Sequence, residues 1–157
     1  MEINLDHFKK NYLVVGLSDD DIAKVAELAT LKIVPAGTEI VKLGAKDSDL
    51  CIILDGTACV YGKGGVLLGE REVGSVIGEI ALVDDRPRSA YVVAKGPLNY
   101  AHLEGKTLRR FMFQNKEIGF IMLSNLSRVL AMRLRQASET IEDLEGKAGD
   151  PWEFAQR

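Results

Sequence analysis

The spacing of apolar residues changes twice along the chain, and the two changes divide it into three parts. Between Ser18 and Leu28, the apolar residues Ile22, Val25, Ala26 and Leu28 fall three or four apart, the spacing of one helix face. Ser18 is placed to cap that helix, and Asp21 follows three positions later as a capping-box acid. Residues 1–30 therefore read as an N-terminal helical segment. From Leu31 the text becomes short β-rich runs: LKIV, EIVKL, LCIIL, TACVY, then Val66 to Val73, Tyr91 to Ala94 and Leu98 to Leu103. Pro35-Ala36-Gly37, the loop LGAKDSD and Asp55-Gly56 punctuate them, which predicts a compact antiparallel barrel or jelly roll over 31–103.

After Glu104 the helical rhythm returns, first with Leu108, Phe111 and Met112 and then from about Lys116 to Glu145. In the second stretch Leu123, Leu126, Leu130, Leu134, Ala137, Ile141 and Leu144 make a narrow seam, which predicts a helix paired with its twin in a homodimer. The competing arrangement lays that seam back on its own barrel. Such a helix runs roughly 40 Å, and Gly146 is placed to end it. Hinge and long helices thus occupy 104–146, and the tail 147–157, with Trp152 and Phe154, is too short for another module. The expected fold class is α+β: an antiparallel β-roll with N-terminal helices and a long C-terminal helix.

Composition narrows the partners. A net charge of −3 gives no general attraction for DNA, and no apolar run is long enough to cross a membrane or mark a secretory signal, so a cytoplasmic protein is expected. Cys51 and Cys59 flank Asp55-Gly56, which reads as a two-residue hairpin turn opposing Ile52 to Cys59 and Cys51 to Val60. Side-chain alternation then sends the sulfurs to opposite faces, and reduced thiols are expected.

The chemistry concentrates in Gly74 to Ala90. Gly78 permits close backbone approach to a ligand, and Glu79 to Val83 can form a helical turn whose free N–H groups face an anion. Pro87 restricts the backbone that delivers Arg88, whose guanidinium can fork onto phosphate oxygens. In isolation, Glu79 and Arg88 also fit a structural ion pair, and Arg86 reads as a solvated loop residue.

The order Gly78-Glu79-Ile80-Ala81-Leu82, a short insert, then Pro87-Arg88-Ser89-Ala90 resembles the phosphate-binding cassette of cyclic-nucleotide-binding domains, the family found in protein kinase regulatory subunits, gated channels and catabolite activator proteins. Pro35-Ala36-Gly37-Thr38-Glu39-Ile40, Gly44 and Leu54-Asp55-Gly56 resemble its structural turns. The resemblance implies that Glu79 accepts a hydrogen bond from the ribose 2′-hydroxyl; the same carboxylate can pair with Arg88 when no nucleotide is bound. The resemblance also implies that Arg88 pairs with the phosphate, and that amides near Gly78, Ala81 and Ser89 complete the anion shell, with Ile80 also among the ligand-binding residues. Ser89 can add a hydroxyl bond to phosphate or guanine. Ser138 falls where activators present a polar side chain to the base, although Ala137 replaces a second hydroxyl, and Ser138 reads equally as a solvated helix residue.

The expected function is therefore a sensor of cyclic AMP or cyclic GMP, not an enzyme, whose helices move around a hinge near Lys106 to Asn115 to signal to an effector protein. No resident cofactor or metal is implied. Ile77 replaces a common phenylalanine, and the roughly eleven residues after Gly146 leave no room for the activators' DNA-binding helices. The alternative is a dimeric interaction module whose pocket takes a cyclic dinucleotide or nothing. A metal-dependent β-roll enzyme would need several converging histidines, and the chain has only His7 and His102.

Overall fold

The computed structural model describes residues 2–148; the predicted tail, with Trp152 and Phe154, lies outside them apart from Lys147 and Ala148. The chain opens with α1 (Leu5–Phe8), a 3₁₀ turn (Tyr12–Val14) and α2 (Asp19–Glu27). Ser18 caps α2: its Oγ accepts from the Asp21 N–H at 3.2 Å and donates to the Asp21 carboxylate at 2.9 Å. Eight strands follow, β1 (Thr30–Val34), β2 (Glu39–Val41), β3 (Leu50–Asp55), β4 (Ala58–Gly62), β5 (Leu67–Arg71), β6 (Val76–Ile77), β7 (Ala90–Ala94) and β8 (Leu98–Leu103). A short helix, α3 (Glu79–Asp84), interrupts them between β6 and β7, and α4 (Gly105–Gln114) and α5 (Lys116–Ala148) close the fold. The architecture is the expected α+β one, with two four-stranded antiparallel sheets ordered β1-β8-β3-β6 and β2-β7-β4-β5.

β3 explains how the layers stack. Its alternation sends Cys51 and Ile53 between the two sheets, where they meet Val92, Ala94, Leu98 and Tyr100. Leu50, Ile52 and Leu54 point the other way, into a second core filled by Phe8, Val25, Leu108, Met122 and Leu126 from the helices. LCIIL is thus an uninterrupted apolar run because both of its faces are covered.

That burial overturns the predicted hairpin. β3 and β4 lie in different sheets, with Cys51 opposite Ile77 and His102, and Cys59 opposite Glu70 and Val93. The pairs Ile52–Cys59 and Cys51–Val60 do not form. Both edges of β3 are taken, by β8 and β6, and the chain leaves it by crossing to the other layer. Gly56 makes the corner at φ +90°, where a Cβ would lie 2.4 Å from the Pro97 carbonyl oxygen. Both cysteines are free and buried, and burial pushes the Cys51 thiol up to about 12.

The long-helix seam divides into two parts. Leu126 is buried in the helical core, Leu130 packs against it, and Asn125 Nδ2 donates to the carbonyls of Leu13 and Val15 at 3.0 and 2.8 Å. Leu126 and Leu130 of the predicted pairing seam therefore cover their own domain, whereas Leu123 before them and Leu134, Ile141 and Leu144 after them are exposed. Gly146 does not end α5, which continues to Ala148 and spans about 50 Å.

Candidate functional site

β6 carries the chain into the site with Val76 and Ile77 both buried. Gly78 then takes φ +96°, and a Cβ there would stand 2.4 Å from the Asp49 carbonyl oxygen and 2.6 Å from Arg88 Nη1. A glycine is required because the Asp49 carbonyl, just before β3, and the arginine press against that backbone. α3 starts at the next residue, so the carboxylate of Glu79 sits at its first turn, only 5% exposed. Asp85, at φ +53°, closes the helix, and its carboxylate receives Arg109 Nη1 at 3.0 Å and Nη2 at 2.5 Å from α4. Those bonds hold the Asp85 carboxyl below the usual carboxylate range.

Arg88 returns the chain across the same space. Its N–H donates to Ala45 O at 2.9 Å and its own carbonyl accepts from Gly44 N–H at 2.8 Å, fixing its backbone against the loop before β3. The guanidinium is buried beneath Gly78: Nη1 donates to Gly78 O at 3.1 Å, and Nη2 donates to Asp49 O at 2.5 Å and to the Asp47 carboxylate. Its Nε is buried without a partner among the described residues.

A cleft of about 320 Å³ opens over this arrangement. Gly78, Glu79, Ile80, Ala81, Arg88 and Ser89 all line it, so the structure gathers the predicted cassette residues around one cavity. Val41, Val60, Leu68 and Val92 give it an apolar wall, and Arg71, Arg86 and Arg133 add cationic side chains. Arg86 is exposed, as expected of a loop residue, and also borders the cleft. Ser138 is not: it is exposed on α5, its hydroxyl donating to Leu134 O at 3.0 Å.

The charges pair differently from the expectation. Glu79 and Arg88 do not meet; the Glu79 carboxylate is taken by Arg133 of α5, and Arg88 by Asp47. Arg88 reaches backward under Gly78, whereas Glu79 points up from the start of α3 toward the long helix. Arg133 had no sequence signal, since the packing of the nearby Leu130 on the core shows only in the structure. Asp47, within LGAKDSD, had none either. Burial raises the Tyr12 hydroxyl's pKa, as does the neighbouring Glu79 charge, while Arg133 opposes the rise.

Comparison with known proteins decides the family: the model of the cyclic nucleotide-binding domain matches residues 31–115, more than half of the chain. The chain belongs to that family. The domain superposes on the catabolite activator protein of Thermus thermophilus with a TM-score of 0.76 at 23% identity, covering 86% of this chain and 63% of that one. A cyclic nucleotide-binding domain from Methylobacillus flagellatus gives a TM-score of 0.76 at 22% identity, covering 94% and 88%. In sequence, the domain is 28% identical over 136 residues to glutaminase 2 of Bradyrhizobium diazoefficiens, 87% of this chain but 22% of that protein. It is 30% identical over 107 residues to a cAMP-dependent protein kinase regulatory subunit of Eremothecium gossypii, 68% of this chain and 23% of that subunit. It thus spans under a quarter of the length of these curated relatives. Among the described residues no helix is long and apolar enough to cross a membrane, and no cluster of three or more His, Cys, Asp or Glu side chains is placed to hold a metal ion.

Proposed function

We propose that the domain is a non-catalytic sensor that takes a cyclic nucleoside monophosphate, cyclic AMP or cyclic GMP, into the cleft under α3. The observation that carries this reading is the buried Arg88 guanidinium, fixed below Gly78 at the cleft where α3 begins. A fixed guanidinium in a partly desolvated cleft favours a phosphate monoanion through charge-assisted hydrogen bonds. Glu79 would accept from the ribose 2′-hydroxyl, the amides around Gly78, Ile80, Ala81 and Ser89 would complete the phosphate shell, and the Ser89 hydroxyl would serve phosphate or base. A cavity of about 320 Å³ is at the small end of ligand pockets, which suits a mononucleotide better than a cyclic dinucleotide.

The proposed signal travels through Glu79. A ribose hydroxyl on its carboxylate competes with Arg133, and releasing Arg133 loosens α5 from the cassette and shifts the hinge around α4. The output would reach an effector protein through the geometry of α5, paired with a second copy through Leu134, Ile141 and Leu144, with Ser138 offered to the base from that helix.

Calorimetric titration of nucleotide-stripped protein with cyclic AMP and cyclic GMP tests the ligand. Micromolar or tighter binding is expected, weakened about a hundredfold by Arg88→Ala. A folded, stripped protein that binds neither nucleotide overturns the reading. Sedimentation velocity tests the pairing: a dimer is expected, and Leu134→Asp should convert it to monomer. A wild-type monomer at tens of micromolar would remove pairing from the mechanism.

A further inference from the structure

Behind Arg88, on the side away from the cassette, lies a second cavity of about 230 Å³. It is built around Asp49, the last residue before β3, and this residue uses every polar atom it has. Its carbonyl accepts Arg88 Nη2 at 2.5 Å, and its N–H donates at 3.2 Å to Asp47 Oδ1, the carboxylate that also holds Arg88. One carboxylate oxygen accepts the Gly105 N–H at 3.0 Å, and the other lies 3.0 Å from His102 Nε2. Gly105 begins α4, whose N-cap residue Glu104 makes no capping bond with its own side chain. The first N–H of the hinge helix is therefore satisfied from 56 residues away in sequence. The packing there is tight: a Cβ on Gly105 would lie 2.3 Å from both the carbonyl oxygen and Oγ of Ser48.

We propose that Asp49 is a positioning residue tying the phosphate arginine to the first turn of the hinge helix. The inference rests on the nucleotide reading above. Residue 49 cannot shift without moving both Arg88 and Gly105, so a change at either end is felt at the other.

Titration calorimetry with cyclic AMP and cyclic GMP tests this on wild type and Asp49→Ala, which keeps the main-chain contacts of residue 49 but loses the carboxylate bond to Gly105. The variant is expected to bind at least threefold more weakly, and an unchanged affinity overturns the tie to Arg88. Hydrogen exchange of the Gly105 amide in ligand-free protein reads the clip without nucleotide: it should be protected in wild type and exchange at least tenfold faster in Asp49→Ala. If Asp49→Ala does not fold, wild-type protection of Gly105 and the same two measurements on Asp49→Asn carry the test. Failure of wild type to bind either nucleotide, with Gly105 protected, overturns the sensor reading and the affinity effect together while leaving the clip standing; an unprotected Gly105 overturns the clip.

Discussion

Glu79 and Arg88 border one cleft and are almost equally buried, at 5% and 7% exposure, yet they are held by opposite kinds of anchor. Arg88 is held mainly by main chain: two of its bonds go to the carbonyls of Gly78 and Asp49, and its own N–H and C=O are pinned by Ala45 and Gly44. Glu79 is held by one long side chain, Arg133, whose own side chain is 38% exposed on a helix that is exposed from there onward. Backbone anchors move only when the sheet moves, whereas a partly solvated arginine can exchange its partner for water at modest cost. On the proposed reading, the difference would assign Arg88 to recognition and Glu79 to signalling: one half of the cleft would be set before a ligand arrives, and the other half released by it.

Substitution of Arg133 tests that division with the largest expected contrast. Arg133→Ala leaves the buried Glu79 carboxylate unpaired, which should lower the stability of the ligand-free domain by about 1–2 kcal/mol, discounted for the solvent around the arginine. Nucleotide affinity should stay within about threefold of wild type, against the hundredfold loss expected for Arg88→Ala. Urea denaturation and calorimetry on the same preparations read both numbers. An affinity loss in Arg133→Ala as large as that in Arg88→Ala would place both arginines in the recognition half and break the comparison.

What was legible in the sequence follows the same line between local and distant causes. The cassette could be read because Gly78, Glu79, Pro87 and Arg88 act within a dozen residues of one another, and their chemistry constrains spacing directly. The Ser18 cap and the strand runs were equally local. The Asp55-Gly56 corner was misread because a tight hairpin and a crossing between sheets use the same residues; only β8 and β6 on either side of β3 distinguish them. The partners of Glu79 and Arg88 were hidden for the same reason. Arg133 and Asp47 lie 54 and 41 residues away in sequence, and nothing near them marks what they touch. The seam on α5 was visible, but its division at Leu130 depended on the slot that the N-terminal helices leave over β3.

The end of α3 supplies a third anchor, intermediate in kind and smallest in expected effect. Asp85 receives both Nη atoms of Arg109, so the cassette helix is latched to the hinge helix by a forked but exposed ion pair. The Arg109 guanidinium depresses the Asp85 carboxyl, and a depressed carboxyl contributes stability above its unfolded pKa that is lost as pH falls through its folded one. Arg109→Gln should therefore melt slightly below wild type at pH 6, and the gap should close as pH falls below about 4 and Asp85 is protonated in both proteins. Thermal melts followed by circular dichroism at pH 6, 4 and 3 measure the gap. A difference that persists unchanged at pH 3 would mean that Arg109 acts through packing of its side chain against α5 rather than through Asp85. The latch would then join the fixed half of the site, and the Glu79–Arg133 pair would remain the releasable tie between the cassette and the helices.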